Sequence, residues 1–201
     1  MKRFRIFILI LFSACIFFPV NTVCASSVQD QLKNTLDQIL VILRDPGLKG
    51  EDSAVTEKRR ASLRKLIYEK FSFDKMSQLS LARHWKDRTD EEKKNFIELF
   101  GKLLEQTYVS KIESYTDEKV AFVKEFVNDN KAQVNTKIIT DTIEIPIDYR
   151  LFQAKDGFWL VYDVVIEGVS LVGNFRSQFD QILQKDSFEK LLEELRNKIK
   201  T

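Results

Sequence analysis

Few residues in this chain have side chains suited to acid–base chemistry, and the strongest candidates are three carboxylates. Asp148, Asp163 and Glu167 fall in a stretch whose alternation of polar and apolar residues is typical of β-strands. Neighbouring strands could bring Asp148 and Asp163 together, and two carboxylates in a closed pocket can act as general acid and general base. The alternative is that they are solvated or bonded to Arg150 and Arg176, and the sequence favours this ordinary role.

Other catalytic and metal-binding arrangements are missing from the sequence. His84 is the single histidine, so one chain cannot supply a histidine metal cluster, and we interpret this side chain as structural or solvated. The sequence also lacks the glycine-rich loop that binds nucleotide phosphates and the Gly-x-Ser-x-Gly motif that presents a nucleophilic serine. We therefore predict no catalytic residue, no metal and no cofactor.

Basic residues are concentrated at one place, in Lys58–Arg60 and Arg64–Lys65. Such a cluster can attract anionic lipid headgroups or an acidic partner. Acidic residues such as Glu57 and Glu69 lie nearby, however, and favour an ordinary solvated helix face.

The first 25 residues have the layout of a secretory signal peptide. A basic segment containing Lys2, Arg3 and Arg5 precedes the apolar run 6–20, and Val23-Cys24-Ala25 supplies small residues before a cleavage point. The apolar run is shorter than the ~20 residues that a membrane-spanning helix needs. We predict cleavage after Ala25, which leaves 26–201 as one domain. An uncleaved anchor and a lipoprotein modified at Cys15 are the alternatives.

Removal of residues 1–25 changes the charge and the redox chemistry of the chain. Cys15 and Cys24 both lie there, so the remaining chain has no disulfide. The formal net charge falls from +2 to −1, which is unlike a nucleic-acid-binding domain. A hydrophobic content of 44% with 6 Gly and 3 Pro excludes fully disordered and collagen-like classes.

Hydrophobic periodicity predicts six helices with four strands between the fourth and the fifth. The predicted helices cover residues 28–43, 53–71, 73–85, 89–114, 171–183 and 188–199, and the predicted strands cover residues 120–127, 132–140, 143–151 and 158–166.

Thr89 and Glu92 form a capping-box pattern at the start of the longest helix. Pro146 favours an edge position or a bulge for the third strand. Successive strands imply an antiparallel meander, so the predicted class is α+β with one sheet face under helices.

Several motifs occur in an order that resembles the MlaC family, also called the toluene-tolerance auxiliary family. They are Phe73-Asp74-Lys75-Met76, Leu81-Ala82-Arg83-His84-Trp85, Phe96-Ile97-Glu98-Leu99-Phe100, Ile147-Asp148-Tyr149-Arg150-Leu151, Trp159-Leu160-Val161-Tyr162-Asp163-Val164, Ile166-Glu167-Gly168-Val169-Ser170-Leu171 and Asn174-Phe175-Arg176-Ser177-Gln178-Phe179. The resemblance covers nearly all of residues 26–201. Two departures are Ala82, where the family has Gly, and Phe175, where Tyr is common.

The resemblance implies a fold and a function. The fold would be a nuclear-transport-factor-like curved sheet of four antiparallel strands, with N- and C-terminal helices enclosing a deep apolar pocket. The protein would be a periplasmic phospholipid carrier that maintains the lipid asymmetry of the outer membrane. Its partners would be an inner-membrane lipid transporter complex and an outer-membrane lipoprotein–porin complex. We expect a monomer that carries bound phospholipid as cargo.

Periodicity and the resemblance together select candidate lipid-binding residues on the long helix, two strands and the helix after them. They are Trp85, Phe96, Phe100, Leu103, Leu104, Tyr108, Ile145, Ile147, Tyr149, Leu151, Val161, Val164, Ile166, Val169, Leu171, Phe175 and Phe179. The pattern leaves open which face of the fourth strand points into the pocket.

Two other classes of function remain open at this point. One is a periplasmic enzyme that uses Asp148, Asp163 or Glu167 in a cone-shaped pocket. The other is an adaptor of a membrane transporter, which binds no lipid and has a filled core. Periodicity alone does not separate a filled core from a lined cavity.

Overall fold

The computed structural model describes residues 27–50, 52–115 and 119–200. The predicted signal peptide and its cleavage point after Ala25 lie outside these residues. No helix in the described part of the chain is both long and apolar enough to cross a membrane.

Six α-helices form, in the order that hydrophobic periodicity predicts. They are α1 (Val28–Arg44), α2 (Ser53–Lys70), α3 (Phe73–Leu81), α4 (Asp90–Glu113), α5 (Leu171–Leu183) and α6 (Phe188–Lys200). The capping box at the start of α4 is confirmed, because the Glu92 amide donates to the Thr89 hydroxyl and the Thr89 amide donates to the Glu92 carboxylate. Short 3₁₀ turns follow α1 and α3 at Pro46–Leu48 and Ala82–Trp85.

The strands form one antiparallel sheet whose spatial order is the order of the chain, as the predicted meander requires. They are β1 (Lys119–Asn128), β2 (Lys131–Ile139), β3 (Glu144–Gln153), β4 (Trp159–Ile166) and β5 (Val169–Ser170). The sheet therefore has five strands rather than four. The fifth has two residues, too few to produce an alternating pattern in the sequence.

Two bulges bend the sheet. Phe122 pairs with Thr136 and Lys124 with Asn135, so one extra residue is inserted in β1. Tyr162 is a second extra residue, in β4. A bulge bends its strand and increases the local twist, which curves the sheet around what lies on its concave side.

Pro146 does not mark an edge strand or a bulge, because β3 lies between β2 and β4 and the prediction is wrong. The Pro146 carbonyl accepts a hydrogen bond from the Glu167 amide at 3.0 Å. In an antiparallel strand the N and C=O of one residue point to the same side. The missing N–H therefore faces Glu167, which lies just past the end of β4, and no bond inside the ladder is lost.

Two apolar clusters form the filled parts of the interior. In the first, α3 and the N-terminal half of α4 pack against α5 and α6. In the second, Val28 and Leu32 of α1 cover Val134, Leu151 and Val161 of the sheet. Between these clusters the interior is not filled.

Candidate functional site

A cavity of about 260 Å³ lies between the helices and one end of the sheet. Four walls enclose it: the C-terminal half of α1, one face of α2 with the start of α3, the C-terminal half of α4, and the sheet. The described lining residues are Leu36, Ile39, Leu40, Leu43, Arg60, Leu63, Arg64, Ile67, Tyr68, Phe71, Phe73, Met76, Leu104, Glu105, Tyr108, Val109, Lys111, Ile112, Tyr115, Val120, Ile138, Ile147, Tyr149, Val164, Ile166 and Leu171.

The lining is apolar and nearly uncharged. Of the 26 described lining residues, four are charged, and all four are on α2 or α4. A polar molecule buried here would lose its hydrogen bonds to water without replacement, whereas hydrocarbon would lose nothing. The cavity is therefore suited to an apolar molecule or to the apolar part of a larger one.

Tyrosine hydroxyls are the polar groups of the uncharged walls. Burial, with Tyr115 nearby, raises the pKa of Tyr149 above the usual tyrosine range. Burial also raises the pKa of Tyr108 and of Tyr68. These phenols stay neutral at physiological pH, so the walls that they line carry no charge from them.

Ion pairs between α2 and α4 adjoin the cavity. Arg64 binds Glu105 with both Nε and Nη2, and Nε lies 2.9 Å from the carboxylate. Arg60 and Arg59 share Glu113, at 2.9 and 3.0 Å. The arginine hydrogen bonds lower the pKa of Glu113, with Arg60 the largest cause. The basic cluster predicted on α2 is therefore more than a solvated face, because three of its members link two walls of the cavity.

Seven of the predicted lipid-binding residues line the cavity. They are Leu104, Tyr108, Ile147, Tyr149, Val164, Ile166 and Leu171. The question of strand face is also answered, since Val164 and Ile166 point into the cavity and Asp163 and Val165 point away. The bulge at Tyr162 places Val161 on the same face as Val164, despite the odd spacing.

Five predicted residues instead form a filled aromatic core: Phe96, Phe100, Leu103, Phe175 and Phe179. The Phe100 ring lies 5.1 Å from Phe175 and 5.5 Å from Phe179, both edge-to-face. Phe96 and Phe100 are fully buried. These five residues do not line the cavity, which lies nearer the C-terminus of α4.

The other five lie elsewhere around the sheet and helices. Leu151 and Val161 are buried in the second cluster, and Ile145 packs against its edge. Trp85 packs against the first cluster, with the Lys93 amine over its ring. Val169 is 60% exposed, because it belongs to the short strand β5 that precedes α5.

Most of the cavity-lining residues on α1 and α2 are not among those predicted from the sequence. Leu36, Ile39, Leu40 and Leu43 of α1 line the cavity, as does much of one face of α2. The α1 stripe is visible as apolar residues spaced by three and four. Nothing in that spacing shows that its first turns cover a filled core and its last turns a cavity.

The three candidate carboxylates do not meet in the cavity. Asp163 is buried and accepts hydrogen bonds from Arg150 Nη1 at 2.9 Å, the Ser170 hydroxyl at 2.7 Å and the Val172 amide at 3.0 Å. It thus anchors the start of α5 to the sheet. Asp148 lies on the same outer face and accepts from Gln133 at 3.4 Å, and Glu167 is an exposed turn residue with φ of 50°.

His84 and the described acidic residues provide no metal centre. The Nε2 atom of His84 lies 2.8 Å from the Asp180 carboxylate, which Arg83 also binds at 2.7 Å. These contacts fit the structural role predicted for His84. Across the described residues, no group of three or more His, Cys, Asp or Glu side chains is placed to hold a metal ion.

Comparisons with known proteins agree with this geometry. The family described as "MlaC protein" matches residues 33–197. The intermembrane phospholipid transport system binding protein MlaC of Haemophilus influenzae is 29% identical over 118 residues, which are 56% of this chain and 55% of that protein. The chain thus matches about half the length of that relative.

A solved structure shares the fold. It is the phospholipid-binding protein from Ralstonia solanacearum in complex with a phospholipid, with a TM-score of 0.78 and 23% identity. The superposition covers 87% of this chain and 97% of that chain. At this identity the match shows the α+β architecture.

Proposed function

Because the chain belongs to the MlaC family, we propose that it binds a phospholipid and carries it between membranes, with the acyl chains held in the cavity. The observation that carries this proposal is the position of the cavity. Apolar faces of α1, α2 and α4 enclose it against the sheet, and its charged residues lie together on α2 and α4. Such an arrangement fits a molecule with hydrocarbon at one end and charge at the other.

The energetics of lipid transfer require a container of this kind. Exposing two acyl chains of about 15 methylenes each to water costs on the order of 25 kcal/mol, at ~0.8 kcal/mol per methylene. Each methylene that the protein covers removes about 0.8 kcal/mol of this cost. The headgroup stays near water, since burying its charge is unfavourable.

Membership of the family and the predicted leader support a periplasmic destination for the lipid. We place the protein in the periplasm, as a monomer that exchanges phospholipid with an inner-membrane transporter complex and an outer-membrane lipoprotein–porin complex. In this role it helps to maintain the lipid asymmetry of the outer membrane. The protein needs no nucleotide site of its own if the transporter supplies the energy.

The two competing classes fit the structure less well. An adaptor with a filled core would leave no cavity between α1, α2 and α4, where one of about 260 Å³ lies. An enzyme based on Asp148 and Asp163 needs both carboxylates in the pocket, but they are on the opposite face of β3 and β4 from Tyr149 and Val164.

The test is to place a charge inside the cavity. Val164→Arg and Leu171→Arg each put a guanidinium among apolar walls, so we expect both variants to lose co-purified phospholipid while retaining their circular dichroism spectra. Val123→Arg is the matched control, because Val123 is 59% exposed on β1 and does not line the cavity.

A variant that changes the volume of the cavity rather than its charge tests the same site if the arginine variants do not fold. Leu40→Trp adds volume at a half-buried position of α1 and occupies part of the cavity without adding charge. Unchanged lipid content in folded Val164→Arg, Leu171→Arg and Leu40→Trp variants would exclude the cavity as the lipid site.

A further inference from the structure

We infer that Arg60 and Arg64 form a binding site for a phosphate ester at the mouth of the cavity, in which they exchange Glu113 and Glu105 for the phosphate of the bound lipid. This inference rests on the proposed function and adds to it a second recognition element, specific for the phosphate group rather than for the acyl chains.

The position of the two arginines is the first argument. Arg60 and Arg64 are one helical turn apart on α2, so their side chains lie on the same face. Both line the cavity, and both side chains keep access to solvent, with 36% and 42% of their surface exposed. A phosphate attached to hydrocarbon inside the cavity would leave it beside these guanidinium groups.

The local charge is the second argument. Among the described lining residues, Arg60, Arg64 and Lys111 are basic and Glu105 is acidic, which gives a formal charge of +2. The chain without residues 1–25 has a net charge of −1. The ion-paired neighbours Arg59, Glu57 and Glu113, which do not line the cavity, bring the local charge to +1. The site is thus positive in a chain whose net charge is negative. Guanidinium groups bind phosphate oxygens in pairs, with geometry that lysine does not reproduce.

The present partners of the arginines can be exchanged at low cost. The Arg64–Glu105 pair is partly exposed, with 42% and 23% of the two side chains accessible, and ion pairs near the surface contribute little net stability. Arg59 remains on Glu113 after Arg60 leaves, since it is less exposed and also donates to the Leu48 carbonyl at 2.8 Å. Glu113 therefore keeps a charged partner, and Glu105 keeps access to water with 23% of its side chain exposed.

The experiment compares two double variants that remove the same charge from the same helix. Arg60→Gln/Arg64→Gln removes the proposed site, and Lys58→Gln/Lys65→Gln removes two exposed lysines that do not line the cavity. Delipidated protein is titrated calorimetrically with soluble dihexanoyl-phosphatidylglycerol, with dihexanoylglycerol, and with inorganic phosphate.

We expect the arginine variant to bind the phospholipid roughly ten- to a hundred-fold more weakly than the parent, the range that loss of charge-assisted hydrogen bonds implies. Its affinity for dihexanoylglycerol, which has no phosphate, stays unchanged. The lysine variant binds both ligands as the parent does. Equal losses for both ligands, or no loss for either, would overturn the phosphate site while leaving the lipid cavity in place.

Glu105→Gln separates phosphate binding from a purely structural ion pair. Removing this carboxylate frees Arg64, so we expect tighter binding of the phospholipid. A structural role predicts instead that Arg64→Gln and Glu105→Gln change binding in the same direction, and that result would contradict the inference.

Two further outcomes distinguish a failure of the phosphate site from a failure of the proposed function. If inorganic phosphate binds the parent as tightly as the phospholipid does, the site takes a free anion and the inference is wrong about its source. If neither dihexanoyl ligand binds the parent, the proposed function itself fails, whatever the arginine variants do.

Discussion

At Ala82 the backbone adopts φ of 47° and ψ of −116°, a conformation that suits glycine far better than alanine. This residue ends α3, and its amide donates to the Gln78 carbonyl. Alanine at this position places a side chain in a region of φ that its Cβ disfavours.

We therefore predict that Ala82→Gly stabilises the protein by about 1 kcal/mol, through relief of this strain. Urea denaturation measures the change. Ala61→Gly is the control, because Ala61 is exposed in the middle of α2, where the same substitution costs about 1 kcal/mol. Destabilisation by both substitutions would contradict the strain at Ala82.

Asp163 shows how a candidate catalytic residue becomes a structural one. Its carboxylate receives three hydrogen bonds, from Arg150, Ser170 and the Val172 amide. The Ser170 hydroxyl in turn accepts from the Gly173 amide at 2.9 Å. A negative charge at the first turn of α5 also interacts favourably with the helix dipole.

Asp163→Asn removes the charge and one acceptor from this network, so we expect a loss of about 2–3 kcal/mol in the free energy of unfolding. Chemical denaturation measures the loss. The control, Asp148→Asn, changes a half-exposed carboxylate with one long hydrogen bond and stays within about 0.5 kcal/mol of the parent. Equal stability of the two variants would show that the network contributes nothing.

At the scale of the elements, the single apolar stripe of α4 packs into a core along one half of the helix and lines the cavity along the other. Its N-terminal half carries Phe96 and Phe100 into the aromatic core with α5 and α6. Its C-terminal half carries Tyr108 and Ile112 along the cavity. The same division occurs in α1, where Val28 and Leu32 are buried against the sheet before the stripe reaches the cavity.

The two halves of α4 should respond differently to truncation. Phe100→Ala removes a fully buried ring, so we expect it to cost about 3–5 kcal/mol of stability while the folded protein still co-purifies with lipid. Ile112→Ala should leave stability nearly unchanged and lower lipid content. Thermal denaturation and phosphorus assay of the purified variants measure the two effects. The reverse pattern would mean that the cavity is not the lipid site.

These elements also show what a sequence can and cannot predict. The order and type of the helices and of four strands follow from periodicity, and Thr89 with Glu92 marks the start of α4 correctly. The short strand β5 and the two bulges depend on local register that no single-chain pattern reveals. Phe100 and Tyr108 belong to one stripe, so what each contacts is decided by the elements packed against it, and those depend on the tertiary fold.

For the whole molecule, the unfilled interior is the feature that needs explaining. Protein interiors are normally close-packed, and the side chains of the two apolar clusters here are buried. The cavity lies where α1, α2 and α4 cover one end of the curved sheet. We propose that its natural content is the hydrocarbon of a phospholipid whose phosphate lies at Arg60 and Arg64.

The most direct test of this account is to identify what the protein carries. The full chain is expressed, purified without detergent, and extracted with organic solvent for quantitative mass spectrometry. We expect diacyl phospholipid at about one molecule per protein molecule, released when the protein is denatured. Folded protein that yields no phospholipid, and takes up none from phospholipid vesicles, would contradict it.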